Sequence, residues 1–146
     1  MGLAAILSTV CVDASLILAQ LLPETLSEAS DAVMNRWRDE DVELVAPPML
    51  ALEVPSVLRQ SIHRGRISLN DGDEAFESFL ALRIRISNPD RLVAHAWELG
   101  KTLDSARLYD MDYLALAEIE NCELWTADRR LANLAEGGPV AVRWVG

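Results

Sequence analysis

A run of four β-branched or small apolar residues, Thr9-Val10-Cys11-Val12, stops at a carboxylate, Asp13. Such a run suits a strand buried on both faces, as in parallel sheets covered by helices. A carboxylate at the end of a buried strand is costly unless something pairs with it. A helix-like stretch, Ala14 to Leu22, follows directly. In open α/β sheets the carboxyl ends of the strands are where ligands sit. The placement of Asp13 therefore raises one question, which is what other acids the chain brings to it.

The rest of the chain alternates in the same way. Pro23-Glu24 opens a second helix to about Asp39, because proline in a first turn followed by acids is a start signal. Val42 to Ala46 is a short strand, punctuated by Pro47-Pro48, and a helix runs from about Met49 to His63 with Gly65 ending it. Ser68 offers a cap for a helix carrying Ala75, Phe76, Phe79 and Leu80 at helical spacing. Arg83 to Ser87 alternates with period two and reads as a half-exposed strand. Asn88-Pro89 starts another helix, residues 101 to 109 form a polar connection, and Asp110 to Asn121 is a strongly apolar helix. Cys122 to Thr126 is a strand, Asp128 leads a short helix to Ala135, and Val140 to Val145 is the last strand. Strands alternating with helices predict an α/β fold, a three-layer α/β/α sandwich with a central, mainly parallel sheet. No linker, repeat or low-complexity tract interrupts it, so residues 1–146 are expected to form a single domain.

Composition narrows the functional classes. With 51% hydrophobic and 25% charged residues the chain is globular rather than disordered. Its net charge of −10 opposes free nucleic-acid binding unless basic residues cluster or a metal offsets the acids. Cys11 and Cys122 form no Cys-x-x-Cys pair and are expected to be buried thiols in a reducing cytosol. The apolar start, Met1 to Val12, lacks a basic leader and is broken by Asp13 before it could span a bilayer. The expectation is a soluble, cytoplasmic protein with no membrane partner.

Four acids occupy positions that hydrophobic patterning does not explain: Asp13, Glu53 within Met49-Leu50-Ala51-Leu52-Glu53-Val54, Asp110 at a helix start, and Asp128 after a strand. Taken singly, Asp110 and Asp128 also read as helix N-terminal acids, and Asp13 as a cap. Taken together they argue for a shared cation, since several carboxylates a few ångströms apart cannot all ionise without one. Hard oxygen ligands select Mg²⁺ or Mn²⁺. A metal held this way suits assisted hydrolysis of a phosphodiester.

The motifs Val12-Asp13-Ala14-Ser15, Pro47-Pro48-Met49-Leu50-Ala51-Leu52-Glu53-Val54, Tyr109-Asp110-Met111-Asp112-Tyr113-Leu114-Ala115-Leu116-Ala117-Glu118 and Trp125-Thr126-Ala127-Asp128-Arg129-Arg130-Leu131 stand in that order. In order and spacing the chain resembles PIN-domain ribonucleases of the kind that serve as toxins of VapBC toxin–antitoxin pairs. The resemblance implies a PIN-like, Rossmann-like sandwich that cleaves RNA through a metal-activated water, pairs into a homodimer and is inhibited by a cognate antitoxin. Carried over by motif, the catalytic acids are Asp13, Glu53, Asp110 and Asp128, with Asp13, Asp110 and Asp128 on Mg²⁺ or Mn²⁺. Ser15 and Thr126 become supporting hydroxyls.

The chain departs from the family after the helix glutamate, where Pro55 and Ser56 replace a small apolar residue and Asn. Proline inside a helix removes a hydrogen bond, and Pro55 is expected to kink the helix and re-aim Glu53. Asp112 points elsewhere on its helix and reads as a solvated acid, while Glu118 reads as a supporting or surface acid. Arg59, His63, Arg64 and Arg66 cluster near the end of one helix, and Arg129 and Arg130 follow Asp128. Arg59, Arg64, Arg129 and Arg130 are candidates for RNA phosphate or antitoxin contacts, against a bland reading as solvated, dipole-favoured residues at a helix end. His63 and His95 lie on different helices without ligand spacing. Two other readings remain: a catalytically silent PIN-fold interaction protein, and another metal phosphohydrolase. A haloacid-dehalogenase type wants a second Asp where Ser15 stands, and a receiver domain wants a lysine after a late strand, where Lys101 is not placed.

Overall fold

The computed structural model describes residues 8–23 and 27–146. Its elements run β1 (Thr9–Val12), α1 (Ala14–Leu21), α2 (Ser27–Asp39), β2 (Glu43–Ala46), α3 (Leu50–His63), α4 (Leu69–Ala81), β3 (Ile84–Ile86), α5 (Leu92–Thr102), α6 (Leu108–Ile119), β4 (Glu123–Thr126), α7 (Arg129–Leu134) and β5 (Val142–Trp144). The expected proline start of α2 falls partly outside the described residues. The other elements stand close to where patterning puts them. The main difference is α6, which begins at Leu108, inside the stretch read as a connection. Ser105 Oγ accepts the Arg107 N–H at 3.2 Å and turns the chain into that helix early.

All strand pairs are parallel, in the order β3-β2-β1-β4-β5. Parallel crossovers are right-handed. Connections leaving β1 and β2 step one way along the sheet, and those leaving β3 and β4 step the other way. Right-handedness then places α1 to α4 on one face and α5 to α7 on the other, which gives the expected three layers. β1 and β4 lie side by side, with Cys11 opposite Leu124 and Val12 opposite Trp125. The chain leaves these two neighbours in opposite directions, so a crevice opens at their carboxyl ends. Asp13 and Thr126 both stand at that crevice.

The core is aliphatic. Cys11, Val12, Leu16, Ile17, Val45, Leu50, Met111, Leu116 and Leu124 are fully buried. Each carries apolar area that stabilises by roughly 1.5–3 kcal/mol when removed from water. Burial of both faces of β1 explains its unbroken apolar run. The outer strands, β3 and β5, are three residues long and each carries a paired arginine at its centre. Arg85 on β3 meets Glu43 and Glu120 at 2.9 and 3.1 Å, and Arg143 on β5 meets Glu123 at 2.6 Å. Among the described residues no helix is long and apolar enough to cross a membrane.

Helix α3 continues through Pro55. The amide that proline lacks would have met the carbonyl of Ala51, an exposed residue in the first turn, where water can substitute. The helix therefore runs on past the proline without a break, with Glu53 in its first turn.

Candidate active site

Asp13 ends β1 and caps α1. Its Oδ1 accepts the Leu16 N–H at 3.1 Å and the Ser15 hydroxyl at 2.7 Å, and its Oδ2 accepts the Thr126 hydroxyl at 2.6 Å. Only 5% of the residue is exposed. Burial pushes its carboxyl up to about 6; the three hydrogen bonds oppose that rise and the nearby Asp128 charge adds to it. The two hydroxyls also order the backbone beyond β4. Ser15 Oγ accepts the Ala127 N–H at 3.0 Å, and Thr126 Oγ1 accepts the Asp128 N–H at 2.9 Å. Each hydroxyl gives its single proton to Asp13, so the 3.1 Å approach of Ser15 to Thr126 is packing rather than a further bond.

Asp128 caps α7, its Oδ1 accepting the Arg130 and Leu131 N–H groups at 2.9 and 3.3 Å. Its other oxygen, Oδ2, accepts from the Arg130 guanidinium at 3.0 Å, and the same nitrogen donates to Asp110 Oδ2 at 2.7 Å. These two bonds hold the Arg130 guanidinium above its ordinary range, the Asp110 bond contributing most. Arg130 thus links acids from the starts of α6 and α7. Glu53, half-buried on α3, accepts the Tyr113 hydroxyl at 3.0 Å. Burial raises the Glu53 carboxyl, the Tyr113 bond lowers it, and the Asp110 charge raises it again. Burial likewise raises Tyr113, followed by the Glu53 charge.

The structure therefore brings Asp13, Glu53, Asp110 and Asp128 to one edge, together with Ser15, Thr126 and Arg130. Arg129 projects outward from the same turn, its guanidinium 4.8 Å over the Trp144 ring. Arg59 and Arg64 are exposed at the opposite end of α3, roughly 9 and 16 Å along the helix from Glu53 at 1.5 Å per residue. Asp112 is half-buried rather than fully solvated, and burial raises its carboxyl. Glu118 pairs with His95 at 2.5 Å on the α5–α6 seam, away from the four acids. Sequence reasoning missed Tyr113. A tyrosine three residues after an acid in an apolar helix reads as core, and its Glu53 partner lies 60 residues earlier.

Among the described residues no three acidic, histidine or cysteine side chains are already gathered closely enough to hold a cation. The reason is visible in the bonding: each acid is turned toward an internal partner. The donor chemistry nonetheless fits a hard divalent cation, since every candidate ligand is an oxygen. Asp13 keeps a lone pair on Oδ2 after its three hydrogen bonds. Arg130 is a stand-in cation, and its position shows that Asp110 and Asp128 can share one small positive group.

The PIN domain family model matches residues 10–137. A VapC ribonuclease of Mycobacterium bovis and ribonuclease VapC9 of Mycobacterium tuberculosis are each 32% identical to this chain over 127 residues, 87% of this chain and 91% of theirs. Among solved structures, VapBC2 from Rickettsia felis, bound to a DNA fragment from its promoter, matches with a TM-score of 0.71 at 11% identity, over 94% of this chain and 99% of that one. A toxin–antitoxin complex from Klebsiella pneumoniae matches with a TM-score of 0.67 at 17% identity, over 94% and 98% of the two chains.

Proposed function

This chain belongs to the PIN-domain family, and from that premise we propose that it is a divalent-metal-dependent endoribonuclease, the toxin of a type II toxin–antitoxin pair. The observation that carries the reading is the sharing of one cationic group by Asp110 and Asp128, beside the buried carboxylate of Asp13 at the crevice between β1 and β4. In this reading Asp13, Asp110 and Asp128 would hold Mg²⁺ or Mn²⁺, the last two in place of the Arg130 guanidinium they now share. A bound divalent ion lowers the pKa of a nearby water and neutralises charge on the phosphate.

The remaining work belongs to the chain. Glu53 orients the attacking water and takes its proton; a carboxylate raised by burial is a better base than a solvated one. Tyr113 holds Glu53 in that position. Thr126 and Ser15 fix Asp13 and the turn that carries Asp128. Arg129, and Arg130 once released, offer guanidinium groups for the phosphate. In-line attack by water leaves 5′-phosphate and 3′-hydroxyl ends.

The active unit is the one PIN-like domain of residues 1–146, working in the cytoplasm. Its partners are an RNA substrate, a cognate antitoxin that Arg59 and Arg64 can reach, and a second copy of itself. A catalytically silent interaction protein is not favoured, because the relatives that match most of this chain are ribonucleases. The test is direct. Antitoxin-free protein is incubated with cellular RNA, with and without Mn²⁺. Cleavage that depends on Mn²⁺ and on Asp13 is expected; no cleavage, or undiminished cleavage by Asp13→Asn, defeats the mechanism.

A further inference from the structure

Beside the four acids, on the β2–β3 side of the same edge, lies a cleft of about 500 Å³. It opens between the residues leading into α3, the loop after β3 and the first turns of α5 and α6. Met49, Leu92, Val93 and two prolines give it apolar walls, and Asn88, Asp90 and Asp112 are its polar groups. Met49 accepts the Glu53 N–H at 2.9 Å one helical turn away, so the cleft adjoins the Glu53 side of the carboxylate site. Asp13, Glu53, Asp110 and Asp128 all have hydrogen-bond partners, as described above. Asp112 is half-buried and makes no hydrogen bond or ion pair with the described residues. A carboxylate drawn part-way out of water without a partner has a standing demand for donors.

We infer that this cleft is a guanine-binding subsite, in which Asp112 pairs with N1–H and N2–H of an unpaired guanosine beside the scissile phosphate. The inference rests on the ribonuclease reading for its choice of ligand. Three features select the base. No Lys or Arg lines the cleft and two carboxylates do, so a phosphate is excluded while a neutral group can enter. The volume and apolar walls accept a flat aromatic ring. A carboxylate presents two adjacent acceptors, and guanine alone among the four bases has two adjacent donors on its Watson–Crick edge. Adenine and cytosine place a ring acceptor beside the amino group, and uracil places acceptors on both sides of N3–H. Asn88 supplies an amide donor for O6. Pairing on that edge requires a base free of its complement, so the target is a single-stranded or looped segment.

The test uses the full chain in EDTA with fluorescein-labelled uridine-rich RNA hexamers carrying one central guanosine, inosine, adenosine or cytidine, read by anisotropy. The guanosine hexamer is expected to bind about tenfold more tightly than the adenosine and cytidine hexamers, with inosine between them for want of the N2 amino group. Asp112→Asn exchanges one acceptor for a donor at nearly constant shape. It is expected to erase the guanosine preference, with the adenosine hexamer bound no more weakly than by the unaltered chain and the thermal midpoint no lower. Equal binding of all four hexamers, absence of binding, or a guanosine preference that survives Asp112→Asn overturns the inference. Cleavage of cellular RNA with Mn²⁺ is scored separately. Its failure removes the ribonuclease reading, whereas a guanosine preference that fails beside intact cleavage removes only the subsite.

Discussion

Asp13 and the Asp110–Asp128 pair lie at the same edge of the sheet and are held in opposite ways. Asp13 is sealed at the seam of β1 and β4, its donors being one helix amide and two strand-end hydroxyls. Its position follows from the backbone of three elements. Asp110 and Asp128 have side chains 19% and 32% exposed, joined through a guanidinium that is itself 45% exposed. Folding alone fixes the first carboxylate; the other two are tied by a long side chain that can let go. The difference separates a rigid reference point from an adjustable jaw.

The largest expected effect falls on the rigid side. Asp13→Asn should lower Mn²⁺-dependent RNA cleavage by more than about 10²-fold, since removing even a supporting partner of a metal ligand costs roughly 10–100-fold. Metal-free stability should also depend on pH through this residue. Its carboxyl is near 6 when folded against an ordinary value of 3.8, so the folded state holds the proton more tightly. Stability is then highest below about pH 4, falls on the order of 2–3 kcal/mol as pH rises to about 6, and is flat above. Denaturant midpoints from pH 4 to 7 measure this. Glu53 and Asp112 titrate in the same direction, so the Asp13 share is the part that Asp13→Asn removes.

Thr126→Val probes the seam one step back. It takes a donor from Asp13 and leaves the Asp128 N–H without its acceptor, which should cost about 1–3 kcal/mol in chemical denaturation. Cleavage should fall roughly 10–100-fold. Tyr113→Phe frees Glu53 from the bond that lowers its carboxyl, so the acidic limb of the pH–rate profile should move to higher pH. An unmoved limb would detach Glu53 from proton transfer. Arg130→Gln probes the adjustable side and should be the mildest for the fold, under about 1 kcal/mol, because the pair is screened by solvent. Its signature is a larger rise in thermal midpoint on adding Mn²⁺ than the unaltered chain shows, since an internal competitor has gone. An equal or smaller rise would mean that Arg130 does not compete for these carboxylates.

The same contrast divides what the sequence made legible from what it hid. β1 could be read because an apolar run that must be buried on both faces stops at an acid, and both periodicity and cost speak there. Asp110 and Asp128 could be read because helix starts and strand ends share one edge of a parallel sheet. Their tie through Arg130 could not, because an arginine two residues after an aspartate is ordinary at a helix start and its second partner lies 20 residues away. Tyr113 was hidden for the same reason, at a greater separation. At Pro55 the carbonyl left without its usual donor, that of Ala51, sits on an exposed first turn, and the helix continues through it. The angle of Asp112 on α6 alone points to solvent; its partial burial comes from the cleft it shares with Asn88, Pro89 and Asp90, which helix periodicity does not reveal.

The outer strands carry a consequence for how this molecule meets others. At three residues each, with Arg85 and Arg143 already engaged by acids, β3 and β5 offer too short and too charged a template for another strand to zip onto. Growth of the sheet from chain to chain, the usual route from a crowded parallel fold to fibrils, is closed at both ends. A peptide that arrives extended finds no ladder to extend, so this molecule will be recognised through shape and side chains, and not through its backbone.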